Sequence, residues 1–418
     1  MATPKLSQLL LANLEKNSAR TAVSRIDPLT RQRESYTYGE LRDAAIAFAR
    51  DLNSRGFHGQ TIALGGDKSL NFYASLLGVW LSGNHFVPVP VGCPPARLAH
   101  IYELAKPVFA LGSALPLAAS PQPWPADTAY LIFTSGSSGR PKGCRITEEN
   151  LLAYLRGIEG FYDFSTSDAI SQAFDLSFDP SLSDILWAFL SGAKLCPLHF
   201  SELANLGDYF ERENITVWNS SPSLARLALD SGSLTNLTFP QIRLSTFIGE
   251  KLSSSIVRAW QSIAPKSSIE NLYGPAEATI SVSRYAIAPE QTPIAIDGNV
   301  PIGAPNPGVT FTVKDGELLI TGAQVGAGYL GPDPGDKFRG QESSATYQSG
   351  DHCHQLESGE WVLTGRVDSQ CKIAGQRFEP GEVESLAENH GFSGFVALPW
   401  RRQSSSEAYD SLLLLTIL

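Results

Sequence analysis

The sequence predicts an α/β protein whose last part is smaller and richer in strands. Three observations lead to this fold class. Apolar residues make up 43% of the 418 positions and charged residues 18%, a balance typical of a chain that folds around a core. Short apolar runs alternate with segments of helical spacing up to about Ser283, as in proteins with largely parallel sheets. Beyond that point, short strand-like runs punctuated by proline and glycine favour a small antiparallel or barrel-like unit.

The predicted elements follow one another in a regular order. Each strand is predicted from a short apolar run, and each helix from apolar residues at helical spacing. After an amphipathic N-terminal helix, the strands of the α/β part are Thr61–Gly65, His85–Val89, Ala129–Phe133, Ile215–Trp218, Leu244–Ile248 and Ser268–Tyr273. Helices are predicted over Asn71–Trp80 and Glu148–Gly157. The later strands are Val309–Val313, Gly316–Ile320, Trp361–Thr364, Phe395–Pro399 and Leu412–Leu418, with a helix over Glu382–Glu388.

Charge and cysteine content narrow the class of function. The chain has 32 basic and 42 acidic residues, a net charge of −10, so we expect neither nucleic acid nor an anionic membrane as a partner. The five cysteines contain no Cys-x-x-Cys pair, which predicts neither a disulfide framework nor a structural zinc site. No run approaches the ~20 apolar residues of a membrane span. The N-terminal apolar run is too short for a signal peptide, so we expect a cytoplasmic protein.

The strongest local motif is the segment Tyr130-Leu-Ile-Phe-Thr-Ser-Gly-Ser-Ser-Gly-Arg-Pro-Lys-Gly143. A strand leads into a loop whose hydroxyl groups, glycine N–H groups and one lysine can surround a phosphate. It is not a Walker A loop, because Pro141 precedes the lysine where that motif has glycine. A flexible surface linker is the alternative, but linkers rarely combine these residues. The predicted phosphate-binding residues are Thr134, Ser135, Gly136, Ser137, Ser138, Gly139 and Lys142.

A second motif, Asn271-Leu-Tyr-Gly-Pro-Ala-Glu-Ala-Thr279, places Glu277 four residues after Tyr273 across a Gly-Pro turn. Beside a phosphate loop, this pair offers a ring to stack on a base and a carboxylate to hold Mg²⁺. The glycine spacing of the segment Gly326-Ala-Gly-Tyr-Leu-Gly331 matches that of a dinucleotide-binding fingerprint. However, Pro332-Asp-Pro-Gly335 follows at once and excludes the helix that this fingerprint needs, so we reject it.

In their order along the chain, these motifs resemble the adenylate-forming superfamily of acyl-CoA synthetases, luciferases and nonribosomal-peptide adenylation domains. The resemblance implies a large N-terminal domain of two doubly wound α/β subdomains and a small β-barrel-like subdomain, followed by a truncated small α+β C-terminal domain. It places the core at residues 1–367, with the β-rich subdomain over about 284–367, and the hinge and partial C-terminal domain at 368–418. The matching segments are Tyr36–Leu41, Thr134–Gly143, Phe174–Asp184, Asn271–Thr279, Gly316–Tyr329, Tyr347–Asp351 and Gly365–Glu384.

The resemblance also implies a two-step enzyme that uses ATP and Mg²⁺. A carboxylate attacks the α-phosphorus, pyrophosphate leaves, and the acyl group then passes from the adenylate to a thiol or amine. Lys142 and Glu277 would be the catalytic residues, with Glu277 as the Mg²⁺ ligand, and Tyr273 would stack on adenine. Asp368 would be the hinge. The other residues implied near adenine and ribose are Gly249, Glu250, Asn271, Asp351 and Arg366.

Three features depart from the family pattern. Ala276 stands where a threonine usually reaches the α-phosphate, and the loss of one such donor can cost about 10²–10³ in rate. Pro90-Val91 replaces a common Asp-Pro, which we interpret as structural. The chain reaches Leu418 without the late Gly-Lys segment of the family. We therefore expect it to bind ATP and substrate better than it completes adenylation.

The segment Phe178-Asp-Pro-Ser-Leu-Ser-Asp184 is similar to the segment of amino-acid-activating members in which an aspartate pairs with the substrate ammonium. Asp179 holds that position, and an exposed or helix-capping aspartate is the alternative. Because the other pocket positions are neutral and Ile248 would fill the floor, a small neutral substrate such as glycine, alanine, serine or threonine is predicted. These positions are Pro180, Ser183, Asn219, Thr246, Ile248, Leu272, Ile280 and Ser281.

The leading hypothesis is an amino-acid adenylating enzyme that loads the phosphopantetheine thiol of a carrier protein. Two alternatives stay open. An acyl- or aryl-CoA ligase of the same superfamily would give Asp179 a structural role. A catalytically impaired ATP-binding module would fit Ala276 and the short C-terminal part.

Overall fold

The computed structural model describes residues 5–27, 29–90, 92–112, 124–134, 141–331, 337–367, 371–373, 376–378, 383, 395–400 and 411–416. Short 3₁₀ turns lie at Phe200–Asn205, Ala276–Ala278 and Glu342–Ser344. The α-helices of this part of the chain are α1 (Leu6–Lys16), α2 (Tyr38–Ser54), α3 (Leu70–Leu81), α4 (Pro95–Ala105), α5 (Glu148–Ile158), α6 (Pro180–Ser191), α7 (Leu206–Glu213), α8 (Pro222–Asp230) and α9 (Ser254–Ile263).

The strands fall into two α/β sheets, a β-rich sheet and two hairpins. In chain order they are β1 (Thr21–Ile26), β2 (Arg33–Thr37), β3 (Thr61–Gly65), β4 (His85–Val89), β5 (Phe109–Leu111), β6 (Thr128–Thr134), β7 (Lys142–Thr147), β8 (Ala169–Gln172), β9 (Lys194–Pro197), β10 (Val217–Ser220), β11 (Leu244–Ile248), β12 (Ser268–Tyr273), β13 (Ser283–Ile287), β14 (Ala304–Pro305), β15 (Val309–Lys314), β16 (Glu317–Gly322), β17 (Phe338–Arg339), β18 (Thr346–Gln355), β19 (Trp361–Arg366), β20 (Cys371–Ile373), β21 (Gln376–Phe378), β22 (Phe395–Trp400) and β23 (Ser411–Thr416).

The larger α/β sheet has nine strands in the order β14-β13-β12-β11-β10-β8-β9-β1-β2. The six strands from β12 to β1 in this order are parallel, whereas the outer strands β13, β14 and β2 pair antiparallel. The carboxyl ends of the parallel strands therefore meet at one edge, which is where open α/β sheets bind ligands. The register pairs Asn219 with Thr246 and Ile248 with Leu272 near this edge.

The smaller α/β sheet has the order β5-β3-β4-β6-β7, and its last strand runs antiparallel to β6. Here the predicted order of strand, loop and helix is wrong, because β7 lies between the loop and α5. Gly143 lets β7 pack closely against Leu330, since a Cβ at this position would lie 2.6 Å from a methyl group of Leu330. Helix α5 begins only after Thr147, whose Oγ1 accepts a hydrogen bond from the Asn150 N–H at 3.1 Å.

The two α/β sheets share one apolar core. Helices α1, α2, α3, α5 and α6 contribute buried side chains to it, together with residues from both sheets such as Phe86 and Leu244. A second core covers the other face of the larger sheet, where the Trp218 and Trp260 rings stack at 5.8 Å. Because the shared core spans both sheets, the ends of β6 and β12 are held in a fixed relation.

The β-rich part is an antiparallel sheet in the order β15-β16-β18-β17, with β19 beside β18. Its core includes Tyr273 and Ala278, so the sheet packs directly on the residues that follow β12. The strands β20 and β21 form one hairpin, and β22 and β23 form another. The predicted helix over Glu382–Glu388 lies outside the described residues apart from Val383. Over the described ranges, no helix has the length and apolar character needed to cross a membrane.

Candidate active site

A cluster of three side chains lies where the β-rich sheet meets the end of β12. The hydroxyl of Tyr273 donates a hydrogen bond to Asp351 Oδ2 at 2.5 Å. Arg366 is the cross-strand partner of Asp351, and its Nη1 donates to Asp351 Oδ1 at 2.6 Å. Burial, and then the Asp351 carboxylate, raise the pKa of the Tyr273 phenol well above its ordinary value, so the phenol stays protonated and donates. The structure thus brings together three of the residues implied to hold adenine and ribose.

Three further residues implied near adenine lie at the ends of β11 and β12. The buried Asn271 donates from Nδ2 to the Pro301 carbonyl at 2.8 Å, whereas its Oδ1 accepts no hydrogen bond from the described residues. An unpaired buried carbonyl oxygen suits a donor such as the amino group of adenine. Gly249 has a φ of +101° at the end of β11. The Glu250 carboxylate accepts from the Ser223 N–H at 2.9 Å, so it serves the start of α8.

The phosphate loop is described only at its ends. Thr134 and Lys142 are cross-strand partners in β6 and β7, so the two residues that flank the loop lie side by side. Thr134 Oγ1 donates to Glu277 Oε1 at 3.4 Å, which ties the start of the loop to the implied metal ligand. The Lys142 Nζ lies 5.8 Å from the centre of the Tyr329 ring. The predicted residues that lie outside the described ranges are Ser135, Gly136, Ser137, Ser138, Gly139 and the hinge Asp368.

Glu277 lies in the 3₁₀ turn Ala276–Ala278 and is fully buried. Its Oε1 accepts a hydrogen bond from Tyr329 Oη at 2.9 Å, in addition to the one from Thr134. The Tyr329 hydroxyl in turn lies 3.3 Å from the Tyr347 hydroxyl. Hydroxyl donors orient a carboxylate without neutralising it, and Mg²⁺ prefers such oxygen ligands. The side chain therefore fits the role of an Mg²⁺ ligand.

Tyr329 is a residue that the sequence analysis missed. It lies in the Gly326–Gly331 segment that was rejected as a dinucleotide motif, and only its place in the family-like Gly316–Tyr329 segment signals its importance. Burial, followed by the charge of Glu277, raises the pKa of the Tyr329 phenol, so it remains a donor. The Gly326 N–H also donates to the Glu277 carbonyl at 2.8 Å, so this segment packs directly on Glu277.

Asp179 precedes α6 and is 7% exposed. Its side chain makes no capping hydrogen bond to this helix. Instead, its Oδ2 accepts from the backbone N–H of Ile280 at 3.0 Å. The exposed and helix-capping alternatives are therefore wrong for this residue. A carboxylate has lone pairs for several donors, so a bond from Ile280 is compatible with a substrate ammonium.

The loop that faces Asp179 has an unusual backbone. Thr279 and Ile280 have φ values of +60° and +68°, a left-handed conformation that β-branched residues seldom adopt. Thr279 Oγ1 donates to the Gln324 carbonyl at 2.6 Å, and Gln324 Nε2 donates back to the Thr279 carbonyl at 3.3 Å. Gly274 makes room for the loop, since a Cβ there would lie 2.4 Å from the Ile280 oxygen. Backbone strain held by such contacts is typical of functional sites.

The other predicted pocket residues come from α6, β10, β11, β12 and this loop. Asn219 links two of them: its Nδ2 lies 3.3 Å from Ser183 Oγ, and its Oδ1 accepts from Thr246 Oγ1 at 2.8 Å. This row of polar groups lies at the carboxyl end of the larger sheet. The remaining pocket residues are buried at the ends of the neighbouring elements: Pro180, Ile248, Leu272, Ile280 and Ser281.

Comparison with known proteins assigns the chain to a family. A profile of the AMP-binding enzyme family matches residues 10–120 and 112–330. The chain belongs to this family. Its relatives include enterobactin synthase component F of Escherichia coli K12, which is 30% identical over 407 residues, covering 84% of this chain and 31% of that protein. The predicted adenylate-forming superfamily is thereby confirmed.

Two further comparisons extend this result. The D-alanine–D-alanyl carrier protein ligase of Bacillus licheniformis is 27% identical over 420 residues, covering 90% of this chain and 83% of that protein. The crystal structure of the Vibrio cholerae adenylation domain AlmE in complex with glycyl-adenosine-5'-phosphate is 24% identical, with a TM-score of 0.79 over 99% of this chain and 89% of that one. The second match concerns the fold and confirms the predicted α/β class. The chain spans only about 31% of the length of enterobactin synthase component F.

Proposed function

We propose that this chain adenylates an amino acid with ATP and Mg²⁺, releases pyrophosphate, and passes the aminoacyl group to the phosphopantetheine thiol of a carrier protein. The observation that carries the proposal is the buried Asp179 carboxylate, which faces the Ile280 loop rather than its own helix. The names of the relatives, a synthase component and a carrier protein ligase, support the same class of chemistry. We further propose that residues 1–367 form the core, that Asp368 is the hinge of the following domain, and that the protein is cytoplasmic.

Charge neutralisation around the phosphates would do most of the catalytic work. Lys142 would place an ammonium group beside the phosphates of ATP, at the end of a loop of neutral donors. Mg²⁺, when bound, would offset charge on the departing pyrophosphate. Glu277 would hold this ion through a carboxylate that Tyr329 and Thr134 orient. Because Thr134 is the residue from which the loop starts and also bonds to Glu277, the phosphates and the metal ligand would be positioned together.

The nucleoside would be held by the cluster at the end of β12. The Tyr273 ring would stack on adenine, with the Asn271 Oδ1 accepting from the base. Each carboxylate oxygen of Asp351 already accepts one hydrogen bond, from Tyr273 and from Arg366, and keeps lone pairs for the ribose hydroxyls. These contacts would act equally on substrate and transition state, so they lower the KM for ATP rather than raise kcat.

The substrate amino group would pair with Asp179. A buried carboxylate that loses its ammonium partner is costly, typically about 3–5 kcal/mol, which corresponds to several hundred-fold or more in specificity. The neutral pocket residues, including Ile248 and Leu272, favour a small neutral side chain. A substrate without an amino group would bring no ammonium to this carboxylate, which disfavours simple acyl groups.

Amino-acid-dependent ATP–pyrophosphate exchange tests the proposal. Asp179→Ala should lose exchange by several hundred-fold while ATP binding, measured by calorimetry, stays within about twofold of the parent. Asp175→Ala is the matched control, because it removes the same charge from an exposed position four residues earlier. If Asp179→Ala exchanges as well as Asp175→Ala with amino acids, the amino anchor is misassigned and a carboxylic acid without an amino group becomes the substrate to test.

A further inference from the structure

The backbone N–H group that contacts Asp179 belongs to the short loop of residues 279–281, which we call the anchor loop. Its three residues are at most 1% exposed. Thr279 and Ile280 have φ values of +60° and +68°, and a β-branched residue in this left-handed conformation carries a cost in free energy. Neighbouring groups must therefore hold the anchor loop in the shape that directs the Ile280 N–H to Asp179.

The side chain of Gln324 holds the anchor loop at both ends. Its Nε2 donates to the Ser281 carbonyl at 2.9 Å and to the Thr279 carbonyl at 3.3 Å. Its own backbone carbonyl accepts from Thr279 Oγ1 at 2.6 Å. Between these two residues, the Ile280 N–H donates to Asp179 Oδ2 at 3.0 Å. Gln324 therefore contacts both neighbours of Ile280 and fixes the direction in which its N–H group points.

Gln324 is itself held from behind. Asn150 of α5 donates from Nδ2 to the carbonyls of Ala323 and Val325, both at 2.8 Å, so one amide bonds the backbone on each side of Gln324. The Asn150 Oδ1 accepts from the Thr147 N–H at 2.9 Å, at the start of the same helix. Gln324 is 2% exposed. Its side chain therefore reaches the anchor loop from a supported and buried position.

Resting on the proposed amino-acid activation, we propose that Gln324 is a positioning residue that sets the preference of Asp179 for an ammonium group. Gln324 keeps the anchor loop in its left-handed shape, and the loop in turn holds one carboxylate oxygen of Asp179 through the Ile280 N–H. A carboxylate that is already oriented loses less freedom when the ammonium group arrives, so the pair contributes more to binding. Without the Gln324 amide, the loop can relax and the Ile280 N–H can turn away from Asp179.

A residue that only stabilised the fold would act differently. It would weaken the binding of every ligand of the pocket alike, whether or not the ligand carries an amino group. A residue that orients Asp179 changes the ratio between a ligand with an ammonium group and the same ligand without it. This ratio is therefore the measurement that separates the two roles of Gln324.

Titration calorimetry on the 418-residue chain measures the ratio with non-hydrolysable aminoacyl-sulfamoyl-adenosines and their des-amino counterparts. The glycyl, alanyl, seryl and threonyl compounds are compared first, and the pair with the tightest amino member is used. The parent should prefer the amino member several hundred-fold. Gln324→Met keeps the length of the side chain and removes its donors, so it should lower this preference about 10-fold, as expected for the loss of two neutral hydrogen bonds.

Asn84→Leu is the matched control for Gln324→Met. Asn84 is also a buried amide, 3% exposed, and its Nδ2 donates to the Phe57 carbonyl at 2.9 Å at the amino end of β4. The substitution removes a similar tether outside the anchor loop and should leave the ratio unchanged. Circular dichroism checks that each variant is folded.

A second pair of variants tests the same contact from the loop. Thr279→Val removes the hydroxyl that donates to the Gln324 carbonyl, and it should lower the ratio by about 3- to 5-fold. Thr279→Ser keeps a hydroxyl at this position and should keep the ratio of the parent. If Gln324→Met does not fold, this pair decides.

The outcomes separate this inference from the function on which it rests. A parent chain that binds both members of the pair equally overturns the proposed amino anchor and this inference with it. A parent that prefers the amino member, together with folded Gln324→Met and Thr279→Val variants that keep the full preference, overturns the inference alone. An equal fall of the ratio in Asn84→Leu also overturns it, because the effect would then be one of general stability.

Discussion

Tyr329→Phe isolates the hydrogen bond that orients Glu277. The substitution removes one hydroxyl and keeps the ring, so the Lys142 ammonium retains its aromatic neighbour at 5.8 Å. The lost bond is a 2.9 Å donation to a fully buried carboxylate. Hydrogen bonds to charged groups contribute about 1.5–3 kcal/mol, and 1.4 kcal/mol is tenfold in an equilibrium constant. We therefore expect a loss of about 10- to 150-fold in a property that depends on the orientation of Glu277.

The property that reports the orientation of Glu277 is the Mg²⁺ concentration that the reaction requires. With Glu277 less well oriented, the free Mg²⁺ concentration at half-maximal ATP–pyrophosphate exchange should rise, and high Mg²⁺ should restore part of the rate. Exchange is measured across a Mg²⁺ titration at fixed ATP. Tyr162→Phe is the matched control, because it removes another tyrosine hydroxyl bound to a glutamate, Glu270, outside the nucleotide cluster. It should lower stability without moving the Mg²⁺ midpoint.

Two results would refute this reasoning. One is a Mg²⁺ midpoint and a rate in Tyr329→Phe that both match those of the parent. The other is an equal shift of the midpoint in Tyr329→Phe and Tyr162→Phe, which would show that lost stability, rather than the position of Glu277, changes the reaction. Urea unfolding of both variants provides the stability comparison.

Three more predictions follow from the structure. Lys142→Ala should slow exchange by about 10²-fold or more while ATP affinity in calorimetry changes little, and equal rates would contradict the phosphate-loop assignment. Gly274→Ala should destabilise the fold by about 1–3 kcal/mol and weaken amino-acid binding, because its Cβ would collide with the Ile280 oxygen at 2.4 Å; unchanged urea unfolding would contradict this. Burial, together with the charge of Arg145, lowers the pKa of His85 from 6.5 to about 3. Between these two pH values the unfolded chain binds a proton at His85 and the folded chain does not. The free energy of unfolding therefore falls as the pH falls from 6.5 towards 3. From pH 6.5 to 5, His85→Gln should therefore lose about 2 kcal/mol less stability than the parent in urea unfolding, and equal losses would contradict it.

The sequence predicts much of the fold because its signals are local. The limits of Leu244–Ile248 and Ser268–Tyr273 agree with β11 and β12, and the helix predicted over Asn71–Trp80 is extended by only one residue at each end. Strand β7 could not be predicted in the same way. Its six residues follow a glycine-rich loop, and their pairing depends on β6 and on contacts with Leu330, far away in the chain.

The site shows the same division between local and distant information. Asp179, Tyr273 and Glu277 stand in ordered motifs, so the resemblance to the family implies a role for each of them. The role of Tyr329 could not be inferred in this way, because its partner Glu277 is 52 residues away and only the tertiary fold brings the two together.

The central claim is that Asp179 binds the ammonium group of the substrate. A thermodynamic cycle that combines one substitution in the protein with one change in the ligand measures this contact most directly. Calorimetry gives the affinities of the seryl-sulfamoyl-adenosine and its des-amino counterpart for the parent chain and for Asp179→Ala. We predict that removing the ammonium group lowers the affinity of the parent several hundred-fold and that of the variant little, since the variant lacks the carboxylate with which the ammonium pairs. An equal loss in both proteins would contradict the claim, because it would show that Asp179 and the ammonium group do not interact.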